Sequence, residues 1–438
     1  MIQHLYFLVG AALATMLSTS LLAQRQPPAA GSTAETIKIG ISIVTSDPTG
    51  STQLQGARMA VEEINAAGGV LGRKLEIIPV YNETRNYTKA QALIKTLIQE
   101  GAQYIITSGG SGMTMKAAEI TIPANVMLIT GSSSSPKISE LQDNDLVWRT
   151  VPSDAFQGRI AAVYMDSLKV RTVGIIHLDN PYGNELARTF REAFERRRGK
   201  VVATAKIPDV TNYSNVDFKP IVDAVFSAKP QLVYIIGFGE ESARVVNTAK
   251  PYFTKEYRPQ LLGCDANYNN DFLYGADPEL IEGMQGFVYI HPQNSANYEK
   301  FNKAFEAFQS KSSLDVAGMT ATSLASLLGA VSTNSYGATV YDAVYSIAYA
   351  MLKARSVHPT DVAKQMREIA NDNEGAVVIN VGEFSKAASI LAKGGKINYE
   401  GASGTLEFND TGDVTAGTYI IWKIKNGQFT EASTISFP

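Results

Sequence analysis

Residues that carry covalent or metal chemistry are scarce in this chain of 438 residues. Its single cysteine, Cys264, excludes an intrachain disulfide and a metal cluster built from cysteines. The four histidines are scattered, and their spacing matches neither a metal site nor a Ser-His-Asp triad. We therefore expect neither a metal ion nor a cofactor.

An excess of basic charge is also missing. Lysine and arginine number 39 against 42 aspartates and glutamates, which gives a formal charge of -3. The longest basic run is only Arg196-Arg197-Arg198. Proteins that bind nucleic acid usually concentrate positive charge on one surface, so we expect no nucleic-acid partner.

Signatures of hydrolases and nucleotide-binding proteins are absent as well. Ser111 lacks the glycine that would follow two residues later in a nucleophile elbow, and no glycine loop ends in Gly-Lys-Ser or Gly-Lys-Thr. "GFGEES" at 237–242 has Ser242 where a dinucleotide fingerprint needs its third glycine. We expect a protein that is not an enzyme, with an α/β enzyme kept as a rival hypothesis.

Long apolar runs are confined to the N-terminus, where residues from about Leu5 to Ala23 are apolar. We interpret residues 1–23 as a secretory signal peptide and residues 24–35 as a disordered spacer; an uncleaved membrane anchor is the alternative. No cysteine follows the leader to carry a lipid. The sequence therefore predicts export and a soluble periplasmic protein.

The rest of the chain alternates between strands and helices. "IKIGISIV" (37–44) and "TVGIIHL" (172–178) each open a βαβαβ series. The two series are offset by 135 residues at their first strands and by 128 at their third, which indicates two similar α/β lobes with parallel sheets. "RTVPSDAFQGR" (149–159) separates them and is predicted to be the first crossover.

The C-terminal third is less regular. We predict a helix near Tyr298–Gln309, helices at 339–354 and 360–370, an insert at 312–337, and a β-rich tail that closes one lobe. The predicted first lobe comprises residues 36–152 and about 289–397. The predicted second lobe comprises residues 153–288 and about 398–438.

The loop "SGGSGM" (108–113) joins the third strand to a helix predicted to begin near Thr114. Its glycines allow close approach to the backbone, Ser111 adds a hydroxyl, and the first amides of a helix lack acceptors within the helix. We expect Ser111 and Gly112 to help bind a carboxylate or phosphate, although an ordinary strand-to-helix turn explains the loop equally well.

Parallel α/β lobes bind ligands at the carboxyl ends of their strands. In the first lobe this rule adds Ser134, and Asp154 lies just after the crossover. In the second lobe it selects Tyr182, Phe238 and Asp265. Hydroxyls and free amides suit a carboxylate, two acids suit an ammonium, and two aromatic rings can flank the rest. The set therefore predicts a zwitterionic ligand.

Each of these residues also has a purely structural interpretation. The serines can cap helices or fill turns, and Asp154 can cap a helix starting near Ala155. Tyr182 and Phe238 can be ordinary core residues. Asp265 is harder to explain in this way, because an acid at the end of an apolar strand needs a partner.

Several segments resemble the type I periplasmic binding proteins of ABC transporters for branched-chain amino acids and related amides. They include "VEEINAAGGVLGRKLE", "NPYGNELA", "NYEGASGTLEFNDTGD" and the loop at 108–113. The resemblance implies two Rossmann-like lobes joined by three crossovers, which close on the ligand like a hinged trap. It places Ser111 and Ser134 at the ligand carboxylate, Asp154, Tyr182 and Asp265 toward its ammonium, and Phe238 beside its side chain.

The resemblance further implies a monomer that passes an amino acid, amide or related carboxylate to an ABC permease in the inner membrane. The loop after the first strand lacks the aromatic residue that often covers an aliphatic side chain in this family, so a polar amino acid, an amide and an aromatic acid all stay open. A ligand-sensing module that signals through a partner protein is the alternative function.

Overall fold

The computed structural model describes residues 35–44, 48–82, 85–290, 295–311 and 334–437. The predicted signal peptide, nearly all of the spacer and most of the 312–337 insert lie outside the described residues. Within the described ranges, no helix combines the length and the apolar character needed to cross a membrane.

The strands alternate with helices through most of the described chain. In chain order the strands are β1 Ile37–Val44, β2 Leu75–Asn82, β3 Tyr104–Thr107, β4 Met127–Thr130, β5 Val147–Arg149, β6 Thr172–Leu178, β7 Lys200–Ile207, β8 Leu232–Ile236, β9 Gln260–Gly263, β10 Gln285–Ile290, β11 Val377–Ile379, β12 Ile397–Gly401, β13 Gly404–Thr405, β14 Gly417–Lys425 and β15 Gln428–Phe437.

Helices connect most of these strands. In chain order they are α1 Pro48–Ala66, α2 Tyr87–Gln99, α3 Ser111–Thr121, α4 Asp154–Ser167, α5 Pro181–Glu195, α6 Lys219–Phe226, α7 Gly239–Ala249, α8 Asn270–Gly275, α9 Pro278–Ile281, α10 Ala296–Lys311, α11 Asn334–Ala354, α12 Pro359–Ala363, α13 Met366–Ala370 and α14 Phe384–Ala392. Short 3-10 turns lie at Pro136–Glu140, Lys250–Tyr252 and Asp265–Asn267.

Two large sheets organise the described chain. The first has the strand order β2-β1-β3-β4-β5, with all neighbours parallel. The second has the order β15-β14-β10-β9-β8-β6-β7, in which only β14 and β15 pair antiparallel with their neighbours. A small sheet, β11-β12-β13, accompanies the first. The predicted α/β fold, with two lobes that each contain a central sheet of parallel strands, is confirmed.

Local sequence explains the central elements. The β1 strand is rich in isoleucine and almost entirely buried, as expected for a strand covered on both faces. The α5 helix begins after Asn180, whose side chain accepts a hydrogen bond from the Gly183 amide, and Pro181 occupies its first turn. Leu186, Phe190 and Phe194 of that helix are fully buried, as the helical spacing predicts.

The boundary between the lobes at the third crossover differs from the prediction. Residues from Ile397 to Val414 pack in the same hydrophobic core as β1 and α11, whereas β14 begins the antiparallel part of the second sheet at Gly417. The predicted boundary at about 397–398 is therefore too early, because β12 and β13 both precede the start of β14. The alternating apolar pattern is shared by β12 and β14, so it could not say which sheet each strand joins.

One helix was predicted where the structure has two. Residues 360–370 divide into α12 and α13, with Lys364 and Gln365 between them. Both helices still bury apolar side chains against the first-lobe core, since Val362, Met366 and Ile369 are fully buried. Side-chain spacing alone did not reveal this break.

Candidate functional site

The loop after β3 turns sharply enough to need glycine. Gly109 and Gly110 have φ angles of 89° and 86°, in the region that favours glycine, and a Cβ on Gly109 would lie 2.3 Å from Cγ2 of Val44. The α3 helix begins at Ser111, three residues before the predicted start near Thr114. Ser111 and Gly112 therefore lie in the first turn, where backbone amides lack acceptors within the helix.

The loop after β4 is fastened to this helix. The Ser135 amide donates to Oγ of Ser111 at 3.0 Å, and the hydroxyls of Thr114 and Ser133 lie 2.8 Å apart. Accepting that bond leaves the Ser111 hydroxyl proton available for another acceptor. The structure thus brings the two predicted serine loops of the first lobe together.

Ser134 is hydrogen-bonded to Asp154. Its hydroxyl donates to Oδ2 of Asp154 at 2.7 Å, and the Asp154 amide donates to the Ser134 carbonyl at 2.7 Å. Ser153 caps α4, accepting from the Ala155 amide at 3.3 Å, so the capping interpretation of Asp154 is wrong. Asp154 is fully buried and faces the loop that carries Ser134.

Gln157 joins the two acids of the predicted site. Its Nε2 donates at 2.9 Å to Oδ1 of Asp154 and at 2.9 Å to Oδ1 of Asp265, while its Oε1 accepts from the Asp265 amide at 3.2 Å. Gln157 was not among the residues predicted from the sequence. Its position one helical turn after Asp154 was the available signal, because residues three apart share a helix face.

The aromatic pair lies on the same side as Asp265. The Tyr182 hydroxyl donates to Oδ1 of Asp265 at 2.5 Å, and the ring centroids of Tyr182 and Phe238 are 5.7 Å apart. Tyr182 packs in a buried core of the second lobe, and its hydroxyl is also hydrogen-bonded to Asp265. Cys264 is fully buried beside it, as expected of a small filler.

Neither acid is bonded directly to a cation within the described chain, although the charge of Arg149 partly offsets the rise in the pKa of Asp154. Their side-chain hydrogen-bond donors are the neutral groups of Ser134, Gln157 and Tyr182. No lysine or arginine of the described residues forms an ion pair with Asp154 or Asp265. Burial raises the pKa of both carboxyls, and the nearby charge of Asp265 raises that of Asp154 further.

A second group of residues, also missed by the sequence analysis, faces the loop after β3 from its outer side. A Cβ on Gly112 would lie 2.5 Å from the Tyr87 hydroxyl oxygen, and one on Gly110 would lie 3.3 Å from Cζ of Phe238. Arg85 places its guanidinium 5.1 Å from the centroid of the Phe238 ring. Arg85 and Tyr87 follow the carboxyl end of β2, so the strand-end rule would have found them had it been applied there.

Residues 52–427, which make up most of the chain, match the family model described as the receptor family ligand binding region. The chain belongs to this family, as a leucine-binding-protein-like type I periplasmic binding protein. The prediction of such a protein, and of a protein that is not an enzyme, is confirmed. Its biochemical role is the binding of a solute.

Individual relatives agree with this assignment. The leucine-, isoleucine-, valine-, threonine-, and alanine-binding protein of Pseudomonas aeruginosa is 26% identical over 341 residues, covering 76% of this chain and 83% of that protein. A leucine-binding protein of Thermotoga maritima has a TM-score of 0.70 at 20% identity, covering 91% of this chain and 99% of that one. An R. palustris solute-binding protein in complex with 4-hydroxybenzoate has a TM-score of 0.68 at 17% identity, covering 92% and 97%.

Proposed function

We propose that this protein captures an amino acid or an amino-acid-like solute between its two lobes and delivers it to an ABC importer. The observation that carries the proposal is the pair of acids, Asp154 and Asp265, bridged by Gln157 and supplied only with neutral donors among the described residues. A fully buried carboxyl and a half-buried one, neither paired directly with a lysine or arginine of the described residues, favour a positively charged ligand group, such as an ammonium.

The opposite end of the site suits a carboxylate. Ser111 retains its hydroxyl proton, and the first-turn amides of α3 carry the positive end of the helix dipole. We assign Ser111 and Gly112 to the ligand carboxylate, Asp154 and Asp265 to its ammonium, and Tyr182 and Phe238 to the wall beside them. Ser134 acts through Asp154, to which its hydroxyl donates.

The P. aeruginosa relative supports this ligand class. Its name states five ligands, and all of them are α-amino acids that carry one ammonium and one carboxylate on the same carbon. The shared part of those ligands is the part that the acids and the helix terminus would bind. The side chain, which differs among them, would face Phe238.

Delivery to an importer follows from the relatives and from the predicted export. The structural relatives include solute-binding proteins of ABC transporters, so we propose a periplasmic location and a permease partner in the inner membrane. We propose that the protein works as a monomer, because one chain supplies both walls of the site. A ligand-sensing role is not favoured by these relatives.

Titration calorimetry tests the ligand assignment. We expect an α-amino acid to bind the wild-type protein, and Asp265→Asn to weaken binding by about 2–5 kcal/mol, since a buried ammonium would lose its charged partner. Asp372→Asn, at an exposed position, serves as the matched control and should leave affinity unchanged. Equal affinity in Asp265→Asn and wild type would remove the ammonium role.

A transport measurement tests delivery separately. Deleting the gene should abolish high-affinity uptake of the ligand found by calorimetry, and the wild-type gene should restore it. Unchanged uptake together with intact binding would refute the importer role and leave the binding role standing.

A further inference from the structure

Arg85 reaches from the first lobe to the second at the outer edge of the site. Its Nε lies 2.9 Å from Oδ1 of Asp209, and its Nη2 lies 2.5 Å from Oε1 of Glu241. The Arg85 and Glu241 side chains are 8% and 1% exposed, so this is a buried ion pair. Arg85 follows β2 of the first sheet, whereas Asp209 follows β7 and Glu241 lies in α7, both in the second lobe.

Aromatic rings of the second lobe also contact the guanidinium. Its central carbon lies 5.1 Å from the ring centroid of Tyr213 and 5.1 Å from that of Phe238. An arginine held against aromatic faces while it pairs with carboxylates is strongly oriented. Phe238 is the same ring that packs on Tyr182, whose hydroxyl donates to Asp265.

Tyr87 adds a second link across the same edge. Its hydroxyl donates to Oδ2 of Asp209 at 2.5 Å. Asp209 also accepts from Nδ2 of Asn180 at 3.2 Å, and Asn180 caps the helix that carries Tyr182. The same Tyr87 hydroxyl occupies the space that a Cβ on Gly112 would need. The contacts therefore connect the outer edge to residues assigned to the ligand.

We propose that Arg85, together with Tyr87, Asp209 and Glu241, forms an interlobe clasp that holds the lobes closed and positions Phe238. Every partner in this clasp belongs to the chain itself, so its closing effect needs no ligand atoms. The assignment of Phe238 to the ligand wall rests on the function proposed above; the clasp itself does not.

The clasp should raise ligand affinity by favouring the closed arrangement. When the lobes separate, Arg85 and Glu241 lose each other as partners and contact water instead. Their pairing therefore stabilises the closed arrangement of the lobes relative to the open one. If the ligand binds only when the lobes are closed, its apparent affinity is proportional to the fraction of molecules that are closed. A smaller closed fraction therefore weakens binding. We therefore expect loss of the clasp to accelerate ligand release more than it slows capture.

The first test measures the distance between the lobes by single-molecule fluorescence energy transfer without added ligand. Dyes attached at Lys95→Cys and Lys229→Cys label one exposed position in each lobe, and the native Cys264 is fully buried. We expect Arg85→Gln to raise the ratio of open to closed molecules by about tenfold or more. Arg85→Lys should give a ratio between those of the wild type and Arg85→Gln, because lysine keeps the positive charge but lacks the planar guanidinium.

Matched variants keep this test decisive. Arg171→Gln, which breaks an exposed ion pair with Asp166 within the second lobe, should leave the distance distribution unchanged. Tyr87→Phe keeps the ring and removes one hydrogen bond across the edge, so it should shift the distribution in the same direction as Arg85→Gln by a smaller amount. It provides the test if Arg85→Gln does not fold. Identical distributions in wild type, Arg85→Gln and Tyr87→Phe would overturn the clasp.

A double-variant cycle identifies the partner. Glu241→Gln removes the charge while its side-chain oxygen can still accept from the Phe238 amide, as Glu241 does at 2.9 Å. We expect the combined Arg85→Gln and Glu241→Gln variant to open less than the product of the two single effects predicts. Multiplicative effects would refute the pairing. Because these measurements use no ligand, they stand even if the proposed amino-acid ligand is wrong.

Discussion

Asp154, which we propose as a ligand group, is a side chain whose burial affects the stability of the folded protein. It is fully buried, its pKa is raised by burial, and the pKa is raised further by the neighbouring charge of Asp265. A carboxyl whose pKa is higher in the folded protein than in the unfolded chain favours folding below its unfolded pKa. That contribution is lost as the pH rises through the folded pKa. Above the folded pKa, the ionised carboxylate of Asp154 therefore lowers the free energy of unfolding.

Asp154→Asn should consequently stabilise the ligand-free protein near neutral pH. The amide is isosteric, its oxygen can accept from Gln157, and the Ser134 hydroxyl can rotate to accept from its nitrogen. We expect a higher free energy of unfolding than wild type at pH 7.5, with the difference shrinking toward pH 4. Urea unfolding across this range measures it, with Asp372→Asn as control. A variant less stable than wild type at pH 7.5 would contradict the argument.

The same two acids predict that ligand affinity depends on pH in the opposite direction to stability. Affinity should fall as the pH is lowered, whereas the contribution of Asp154 to stability should rise. Protonating Asp154 or Asp265 removes the negative charge that an ammonium needs, and their raised pKa values bring this loss closer to neutral pH. We expect the dissociation constant of the amino-acid ligand to rise as the pH falls from 7.5 to 5. Titration calorimetry in matched buffers measures the trend, and a constant affinity over that range would count against the acids as ligand groups.

Individual site residues were predictable to different degrees. The strand-end rule selected Ser111 and Asp265 as candidates because each follows a recognisable strand, and Asp154 was selected because it follows the predicted first crossover. It could not show that Gln157 would bridge two acids that are 111 residues apart, since that depends on how the lobes meet. The same reason hid the contacts of Arg85 with the second lobe.

At the scale of elements, a buried ion pair ties two crossovers together. Arg149 of β5 is fully buried and its Nε lies 2.6 Å from Oδ1 of Asp413, in the segment before β14. Arg149 also donates to the Ser135 carbonyl at 3.0 Å and to the Ser139 hydroxyl at 2.8 Å. It therefore holds the loop after β4, which carries Ser134, against the hinge.

Removing this arginine should be costly. Arg149→Met would leave Asp413 buried without its cation and two acceptors without their donor, so we expect a loss of about 3–5 kcal/mol in the free energy of unfolding. Arg171→Met, at a solvent-exposed ion pair, should lose at most about 1 kcal/mol. Chemical denaturation of both variants provides the comparison, and equal losses would show that the buried pair has no special role.

The contact between α1 and α11 gives a second element-scale prediction. A Cβ on Gly56 would lie 2.2 Å from the carbonyl oxygen of Gly337, which is backbone and cannot rotate away. We expect Gly56→Ala to destabilise the protein by about 1–3 kcal/mol, despite the better helix propensity of alanine. Glu62→Ala, exposed on the same helix, controls for helix propensity. An unchanged melting temperature in Gly56→Ala would mean that the two helices do not pack this closely.

Predictability also varied among elements. The bounds of β1, β6 and β7 match the apolar runs in the sequence, because each run is short, β-branched and bounded by polar residues. Residues 398–414 were assigned to the wrong lobe, since their alternation resembles that of β14 and the choice between two sheets depends on long-range packing. The local sequence pattern predicts whether a segment is a helix or a strand better than it predicts which other elements that segment packs against.

At the scale of the whole molecule, the chain builds two lobes with the same βαβαβ order and places the candidate residues where they meet. The first lobe contributes a helix N-terminus and hydroxyls, and the second contributes Asp265, Tyr182 and Phe238. Asp154, at the first crossover, contacts both sides through Ser134 and Gln157. A ligand that bridges these groups would hold the lobes together, as expected for a trap that closes around its solute.

The central claim is that one ligand carries both a carboxylate and an ammonium. The most direct test is a thermal-shift panel that pairs α-amino acids with otherwise identical acids lacking the amine, and includes amides and aromatic acids. Binding to the folded state raises the melting temperature, by the equivalent of about 2.7 kcal/mol at a hundredfold excess over the dissociation constant. We predict a shift with an α-amino acid that disappears in Ser111→Ala and in Asp265→Asn. Equal shifts with acids that lack an amine, retained in Asp265→Asn, would contradict the account.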